Sequence, residues 1–165
     1  MTVVVADSSP LNYLTLVGEV DVLHRLYGTI VVPQQVLTEL TDPAAPLQVR
    51  NWALSLPDWI DVRVALVDDP GLRHLDPGER AAIVLAQSES GALLLIDDAA
   101  GRIEASRRGI LTVGTLGILR AASVKELVDL PTVLARLLET NFRVSMTLVD
   151  QLLAEDDSRR RQGSE

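Results

Sequence analysis

The sequence predicts an α/β fold in three layers, α/β/α, with a central, mainly parallel sheet of about five strands. Apolar segments of strand length alternate along the chain with segments in which apolar residues recur at helical spacing. Hydrophobic residues make up 47% of the 165 positions, yet aromatic residues only 3%. This composition is typical of branched aliphatic strands buried under Leu- and Ala-rich helices.

Five segments have the composition of strands and are flanked by turn-forming residues. Residues 2–6 form an apolar run that ends at Asp7, and residues 92–96 form another that ends at Asp97 and Asp98. The other predicted strands are residues 29–32, 59–64 and 110–113.

Helical spacing of apolar residues predicts the two covering layers. Pro10 suits the first position of the first helix and Ser9 its N-cap. Glycines end two later helices at Gly28 and Gly109. The predicted helices lie at about residues 10–17, 20–26, 33–40, 47–56, 76–89, 98–108, 130–139 and 146–155, and one more follows Gly114.

The domain organisation is predicted to be simple, because the chain has no internal repeat or linker. Residues 1–157 are expected to form one domain, and the charged residues 158–165 a disordered tail. Residues 65–75 are expected to be an exposed loop. The N-terminus lacks the basic leader of a signal peptide, and no uncharged stretch approaches the ~20 residues that span a bilayer. We therefore expect a cytoplasmic protein with no membrane segment.

Composition and charge exclude several kinds of chemistry. Without cysteine, the chain has no disulfide, no thiolate nucleophile and no cysteine-ligated zinc. Phosphate-cradling glycine motifs and a serine nucleophile elbow are also absent from the sequence. The net charge of -8 argues against a nucleic-acid partner, but a cationic strip lies in one short segment. That strip consists of Arg102, Arg107, Arg108, Arg120 and Lys125.

Acidic residues follow two of the predicted strands. Asp7 follows residues 2–6, and Asp97 and Asp98 follow residues 92–96. If the two strands are neighbours, these carboxylates converge where parallel α/β sheets bind ligands. Close like charges repel one another unless a cation lies between them, and carboxylate oxygens favour Mg²⁺ or Mn²⁺. Each acid could instead serve only the turn or the N-cap of the helix that follows it.

Two further acids lie on predicted helices. Glu79 comes three residues after Asp76, which matches a capping box, yet Ala82, Ile83 and Ala86 place it on the apolar stripe that faces the core. Glu79 can therefore cap the helix and also point toward the sheet edge. Glu39 could be a solvated flank of its helix, or it could reach the same edge.

These segments together resemble the PIN-domain family. The run from Val3 to Leu11 resembles the start of PIN domains, where a strand delivers the first catalytic Asp. Val31-Val32-Pro33 with Val36, Glu39 and Leu40 resembles the second motif, and the segments around Glu79 and Asp97-Asp98 resemble the third and fourth. The resemblance covers about residues 2–157 and extends to a prokaryotic subgroup with VapC-like toxins. Most toxin-type members carry Asp where this chain has Glu79, and Thr-x-Asp where it has Ile96-Asp97-Asp98.

The resemblance implies a PIN-like fold and hydrolysis of RNA phosphodiesters with Mg²⁺ or Mn²⁺. The metal and catalytic residues that it implies are Asp7, Glu39, Glu79, Asp97 and Asp98. The family register places Asp98 at the family's Asp, and which of Asp97 and Asp98 ligates directly stays open. Ser9, Arg102 and Thr115 are expected to orient water or substrate. The resemblance also implies a cytoplasmic homodimer, plausible as the toxin of a type II toxin–antitoxin pair, with a cognate antitoxin as partner.

Two other classes of protein compete with this interpretation. One is a catalytically silent PIN fold that binds RNA or a protein. The other is a phosphoryl-transfer domain on a doubly wound sheet. A haloacid-type phosphatase would need D-x-D after its first strand, where this chain has Asp7-Ser8-Ser9. A response-regulator receiver would carry its acidic pair after the first strand, whereas Asp97 and Asp98 come late.

Overall fold

A parallel sheet lies at the centre of the protein in the computed structural model, which describes residues 2–164. Its strand order is β3-β2-β1-β4-β5, and every pair of neighbours runs parallel. The α/β/α prediction with a parallel five-stranded sheet is therefore confirmed. The strands are β1 (Val4–Ala6), β2 (Ile30–Pro33), β3 (Ile60–Arg63), β4 (Leu93–Leu95) and β5 (Leu111–Val113).

Nine α-helices cover the sheet over residues 2–164. They are α1 (Ser8–Leu16), α2 (Val22–Tyr27), α3 (Gln34–Leu40), α4 (Leu47–Leu54), α5 (Pro77–Gln87), α6 (Ala99–Arg107), α7 (Thr115–Val124), α8 (Leu130–Leu138) and α9 (Met146–Gly163). A short 3-10 helix, Pro70–Leu72, precedes α5. Among the described residues no helix has both the length and the apolar character that a membrane crossing needs.

The alternation of side chains along the strands builds two separate cores. On β1, Val4 and Ala6 pack into the core under α1, α7 and α8, while Val5 packs into the core under α5 and α6. On β4, Leu95 packs into the first of these cores and Leu94 into the second. Successive strand residues point to opposite faces, so burial on both faces requires the continuous apolar runs that the sequence contains.

The direction of strand addition reverses at β1. From β1 the chain adds β2 and β3 on one side, and β4 and β5 lie on the other. Loops after β1 and β4 therefore diverge and leave a crevice at the carboxyl edge of the sheet. Asp7 follows β1 directly, and its N–H donates to the carbonyl of Leu95 at 2.9 Å.

The segment before α5 differs from its sequence prediction. Residues 65–75 are predicted to be an exposed loop, but Ala65, Leu72 and Leu75 are buried. Arg108 holds this segment, because its guanidinium bonds to Asp69 at 2.6 Å and to Glu104 at 2.9 Å. Apolar anchors and an ion pair outweigh the polar composition of the segment.

The predicted disordered tail is wrong for residues 158–163, which continue α9. The cause is a charge network around Asp156, whose side chain is buried. Asp156 accepts a hydrogen bond from the Ser123 hydroxyl of α7 and pairs with Arg159 and Arg160 of its own helix. The basic run that suggests disorder is thus what anchors the end of α9. Glu165 lies outside the described residues.

Replacing Asp156 by Ala should lower the free energy of unfolding by about 2 kcal/mol, because Ser123 and Arg159 lose a buried partner. Arg160 keeps access to water, so the full cost of a broken buried pair is not expected. Chemical denaturation measures the change. The matched control is Asp157→Ala, which removes an exposed acid that pairs with exposed Arg161 and should alter stability by less than about 0.5 kcal/mol. Equal effects of the two substitutions would contradict this account of α9.

Candidate active site

Asp7 is the buried centre of the candidate site. The residue is 2% exposed, and among residues 2–164 its Oδ1 atom has no hydrogen-bond partner. It occupies the N-cap position of α1, but its side chain makes no capping hydrogen bond, and α1 begins at Ser8 rather than after Ser9. The interpretation of Asp7 as a simple helix cap therefore does not account for its burial.

Burial raises the pKa of Asp7 well above its ordinary range, and the neighbouring acids Asp76, Glu79 and Glu39 raise it further. The N–H of Ser8 opposes this by favouring the charged form. A carboxylate in this position is costly to ionise, both because water is excluded and because like charges surround it.

Glu39 reaches the site from α3. It is half-buried, and its Oε1 accepts a hydrogen bond from the N–H of Gly78 at 2.9 Å. A Cβ at position 78 would overlap the Glu39 carboxyl group, so glycine is what lets the start of α5 approach it. Burial raises the pKa of Glu39, while the hydroxyl of Ser8 lowers it. Glu39 is therefore held inside the fold rather than on a solvated flank.

Glu79 and Asp76 form the capping box that the sequence predicts. Asp76 accepts from the N–H of Glu79 at 2.8 Å, and Glu79 accepts from the N–H of Asp76 at 3.3 Å. Glu79 also faces inward, since it is 9% exposed. Burial, followed by the charges of Asp76 and Asp98, raises the pKa of Glu79 to about 7. Capping and participation in the acidic cluster therefore occur together.

Asp97 and Asp98 have different surroundings. Asp97 is clamped by Thr115, whose N–H and hydroxyl donate to its two oxygens at 2.7 and 2.6 Å. Arg102 lies beside it and lowers its pKa, although burial raises the pKa more. Asp98 is exposed and uses one oxygen to cap α6 through the N–H of Gly101 at 2.9 Å. The charge of Asp98, rather than that of Asp97, acts on Glu79.

The structure thus divides the residues that the sequence singles out. The charges of Glu39 and Glu79 act on Asp7, and the charge of Asp98 acts on Glu79, whereas Asp97 is bonded to Thr115 with Arg102 nearby. Ser9 lies in a small cleft with Ser8, Asn12, Tyr13 and Glu39.

The sequence analysis misses one acid of the cluster, Asp76, and one hydroxyl beside it, that of Ser8. Asp76 contributes charge to Asp7, Glu39 and Glu79, although the sequence identifies it only as a cap. Ser8, rather than Ser9, is the hydroxyl beside Glu39. The signal for Asp76 was its place one turn before Glu79 at the start of the same helix.

A divalent cation fits the chemistry of these residues. An unpaired buried carboxylate oxygen, close to acids that raise its pKa, is the environment that a cation relieves. Among residues 2–164, however, no three such side chains stand together as a formed metal site. Glu39, Glu79 and Asp98 are each bonded to a backbone N–H. Each of these bonds uses one carboxylate oxygen and leaves the other oxygen of the same group available to an ion.

Comparisons with known proteins identify the family. A family model described as PIN domain matches residues 3–158, and the chain belongs to this family. A solved structure of a PilT N-terminus domain protein from the hyperthermophilic archaeon Sulfolobus solfataricus P2 has the same fold, with a TM-score of 0.50 and 16% sequence identity. The match covers 87% of this chain and 100% of that one. No curated protein matches.

Family membership supports a function of the nuclease type. PIN domains are in general nucleases that act on nucleic acid and use divalent metals. The acidic crevice lies where the fold of such a family brings strand ends together.

The raised pKa of Glu79 predicts how stability depends on pH in the absence of metal. The folded protein holds this proton up to about pH 7, whereas an unfolded Glu loses it near pH 4.3. The stabilising contribution of the proton is complete below the unfolded pKa and is lost as the pH rises through about 7. Asp7 acts in the same direction. In EDTA, thermal unfolding should therefore show lower stability at pH 8 than at pH 5.

Glu79→Gln is the matched variant for this measurement, because it keeps the shape of the side chain and removes its titration. Its stability should decline less between pH 5 and pH 8 than that of the wild type. Parallel pH profiles for the two proteins would show that Glu79 does not carry the effect.

Proposed function

We propose that the protein is a divalent-metal-dependent ribonuclease that hydrolyses RNA phosphodiesters with water. The observation that carries the proposal is the buried, unpaired Oδ1 of Asp7 at the reversal point of a parallel sheet, with acids around it. Membership of the PIN family supports the nuclease class. RNA as substrate, and Mg²⁺ or Mn²⁺ as the metal, rest on the family resemblance and on the hard oxygen donors of the site.

In this proposal Asp7, Glu39, Glu79 and Asp98 hold the cation. When bound, the cation polarises the phosphate and lowers the pKa of a water molecule. The protein fixes the positions of the acids in advance: Gly78 holds Glu39, and the capping box holds Glu79. Burial of Asp7 keeps bulk water away from its carboxyl group.

We assign different roles to the two acids after β4. Only one carboxylate oxygen of Asp98 accepts the N–H that caps α6, so the other oxygen can bind an ion. The negative charge of Asp98 also raises the pKa of Glu79. Both observations support Asp98 as the direct ligand. Both carboxylate oxygens of Asp97 accept hydrogen bonds from Thr115. We propose that the Thr115–Asp97 unit, together with Arg102, positions substrate beside the metal rather than binding the metal.

The biological setting is a further part of the proposal. A cytoplasmic homodimeric toxin with a cognate antitoxin rests on the resemblance to VapC-like proteins alone. Induced expression tests it directly: growth arrest that depends on Asp7 supports a toxin, and normal growth at full expression of an active nuclease contradicts it.

A silent PIN module is the second candidate, and one observation favours it. Glu39, Glu79, Asp97 and Asp98 are all bonded to protein donors, so the structure satisfies most of its acids without an ion. A silent module would bind RNA or a protein but would not cleave RNA in Mg²⁺ or Mn²⁺. A cleavage assay in either metal therefore distinguishes it from the nuclease.

Replacing Asp7 by Asn should reduce RNA cleavage about 100-fold or more, since loss of the central ligand removes several kcal/mol of metal-assisted stabilisation. The same variant should be more stable than the wild type at pH 8 in EDTA, by about 1–3 kcal/mol, because Asn needs neither a buried charge nor the uptake of a proton at this position. Cleavage of a labelled single-stranded RNA and thermal unfolding measure the two effects.

Asp68→Asn is the control for this pair of measurements, because Asp68 is an exposed acid outside the cluster. It should leave cleavage and stability unchanged. Cleavage by Asp7→Asn at the rate of Asp68→Asn would remove Asp7 from the site.

The affinity for Mn²⁺ distinguishes the roles proposed for Asp97 and Asp98. Asp98→Asn should weaken Mn²⁺ binding about tenfold or more, whereas Asp97→Asn should weaken it less and act mainly on the KM for RNA. Calorimetric titration with Mn²⁺ measures the first effect, and steady-state kinetics measures the second. The reverse order of Mn²⁺ affinities would exchange the two roles.

A further inference from the structure

A cavity of about 590 Å³ opens beside Asp97, between α6, α7 and the segment that leads into α9. Its charged lining consists of three arginines, Arg102, Arg120 and Arg143, against the single acid Asp97. The whole chain carries a net charge of -8, so this lining has the opposite balance to the rest of the protein. We call this cavity the arginine groove.

Two helix N-termini add to the positive potential of the arginine groove. Gly114 is the N-cap of α7 and Ser145 the N-cap of α9, and both residues line the cavity. Helix N-termini carry partial positive charge and favour anions. Asp97 already accepts from the N–H of Thr115 at the start of α7, so the arginines, rather than this helix end, are the groups open to an anion.

Two of the three arginines are available to a ligand. Arg102 and Arg143 are exposed, and within residues 2–164 neither has a carboxylate at ion-pair distance. Arg120 instead bonds to Glu155 at 2.5 Å. A guanidinium group without a protein partner is well suited to bind phosphate oxygens.

The segment that carries Arg143 is fixed to the helix that begins at the acidic crevice. Tyr13 of α1 donates a hydrogen bond to Asn141 at 2.8 Å, and its ring meets the edge of Phe142 at a centroid distance of 4.9 Å. Arg143 in turn lowers the pKa of Tyr13, although burial and the charge of Asp97 raise it more. Tyr13 also lines the cleft that contains Glu39. Tyr13 therefore lies between the segment that carries Arg143 and the cleft that contains Glu39.

We propose that the arginine groove binds the phosphate backbone of single-stranded RNA on one side of the bond to be cut. Arg102 and Arg143 contact successive phosphates, and half-buried Phe142 offers a ring on which a base can stack. The inference rests on the proposed ribonuclease function and names the surface by which an acidic protein retains an anionic substrate.

The test measures equilibrium binding of a fluorescent single-stranded RNA over a series of salt concentrations. All proteins carry Asp7→Asn and all solutions contain EDTA, so that no RNA is cut. Arg102→Ala and Arg143→Ala should each weaken binding about tenfold. The double variant should reduce the slope of log affinity against log salt by about 1.4, since each phosphate contact on a single strand contributes about 0.7.

Arg107→Ala is the matched control, because it removes the same charge from an exposed position of α6 outside the groove. It should leave the salt slope unchanged. A double variant with the slope and affinity of Arg107→Ala overturns the proposal.

The outcome is independent of whether the protein cleaves RNA. If the wild type does not cut RNA in Mg²⁺ or Mn²⁺ but the groove variants bind it weakly, the groove is supported and the nuclease proposal fails. If the wild type cuts RNA through Asp7 while the groove variants bind normally, the nuclease proposal stands and the groove is refuted.

Discussion

The cost of keeping the Asp7 carboxyl group buried is the constraint on which the candidate site depends. Asp7 follows the central strand, where the direction of strand addition reverses, and its backbone is tied to Leu95. This bond fixes the backbone of Asp7 against β4 at the carboxyl end of the sheet. Acids from α3 and α5 close over it, so the fold concentrates negative charge where it has the least solvent. The cluster therefore lowers the free energy of unfolding of the metal-free protein, and a cation bound to it would raise that free energy again.

The surrounding residues show how the fold tolerates this cluster without an ion. Backbone N–H groups at the start of α5 and α6 bond to Glu39, Glu79 and Asp98, and Asp7 and Glu79 have raised pKa values. Helix capping and raised pKa values thus lessen the repulsion among these acids. The same contacts fix Glu39 and Glu79 at the start of α5 and Asp98 at the start of α6.

Much of this was predictable from the sequence, because periodicity and strand-end position are local signals. Apolar runs that alternate with helical segments predict the strands and their parallel arrangement. The carboxylates that directly follow two of these runs predict the positions of Asp7 and of Asp97-Asp98. What depends on tertiary contact was not predictable. The pairing of Asp156 with Ser123 converts a charged tail into helix, and Thr115 binds Asp97 from 18 positions away. Asp76 is predicted from the sequence only as the N-cap of α5. Its second role, as a charge beside Asp7 and Glu79, depends on contacts that the sequence does not show.

The central claim is that Asp7 is a ligand of a divalent cation, and a crystal structure of the protein soaked in Mn²⁺ tests it most directly. Anomalous scattering locates the ion without assumptions about activity. The account predicts a peak within coordination distance of Asp7 Oδ1, about 2.0–2.3 Å, with Glu39, Glu79 or Asp98 as a further ligand. Asp7 Oδ1 still unpaired at saturating Mn²⁺, with no peak in the crevice, would contradict it.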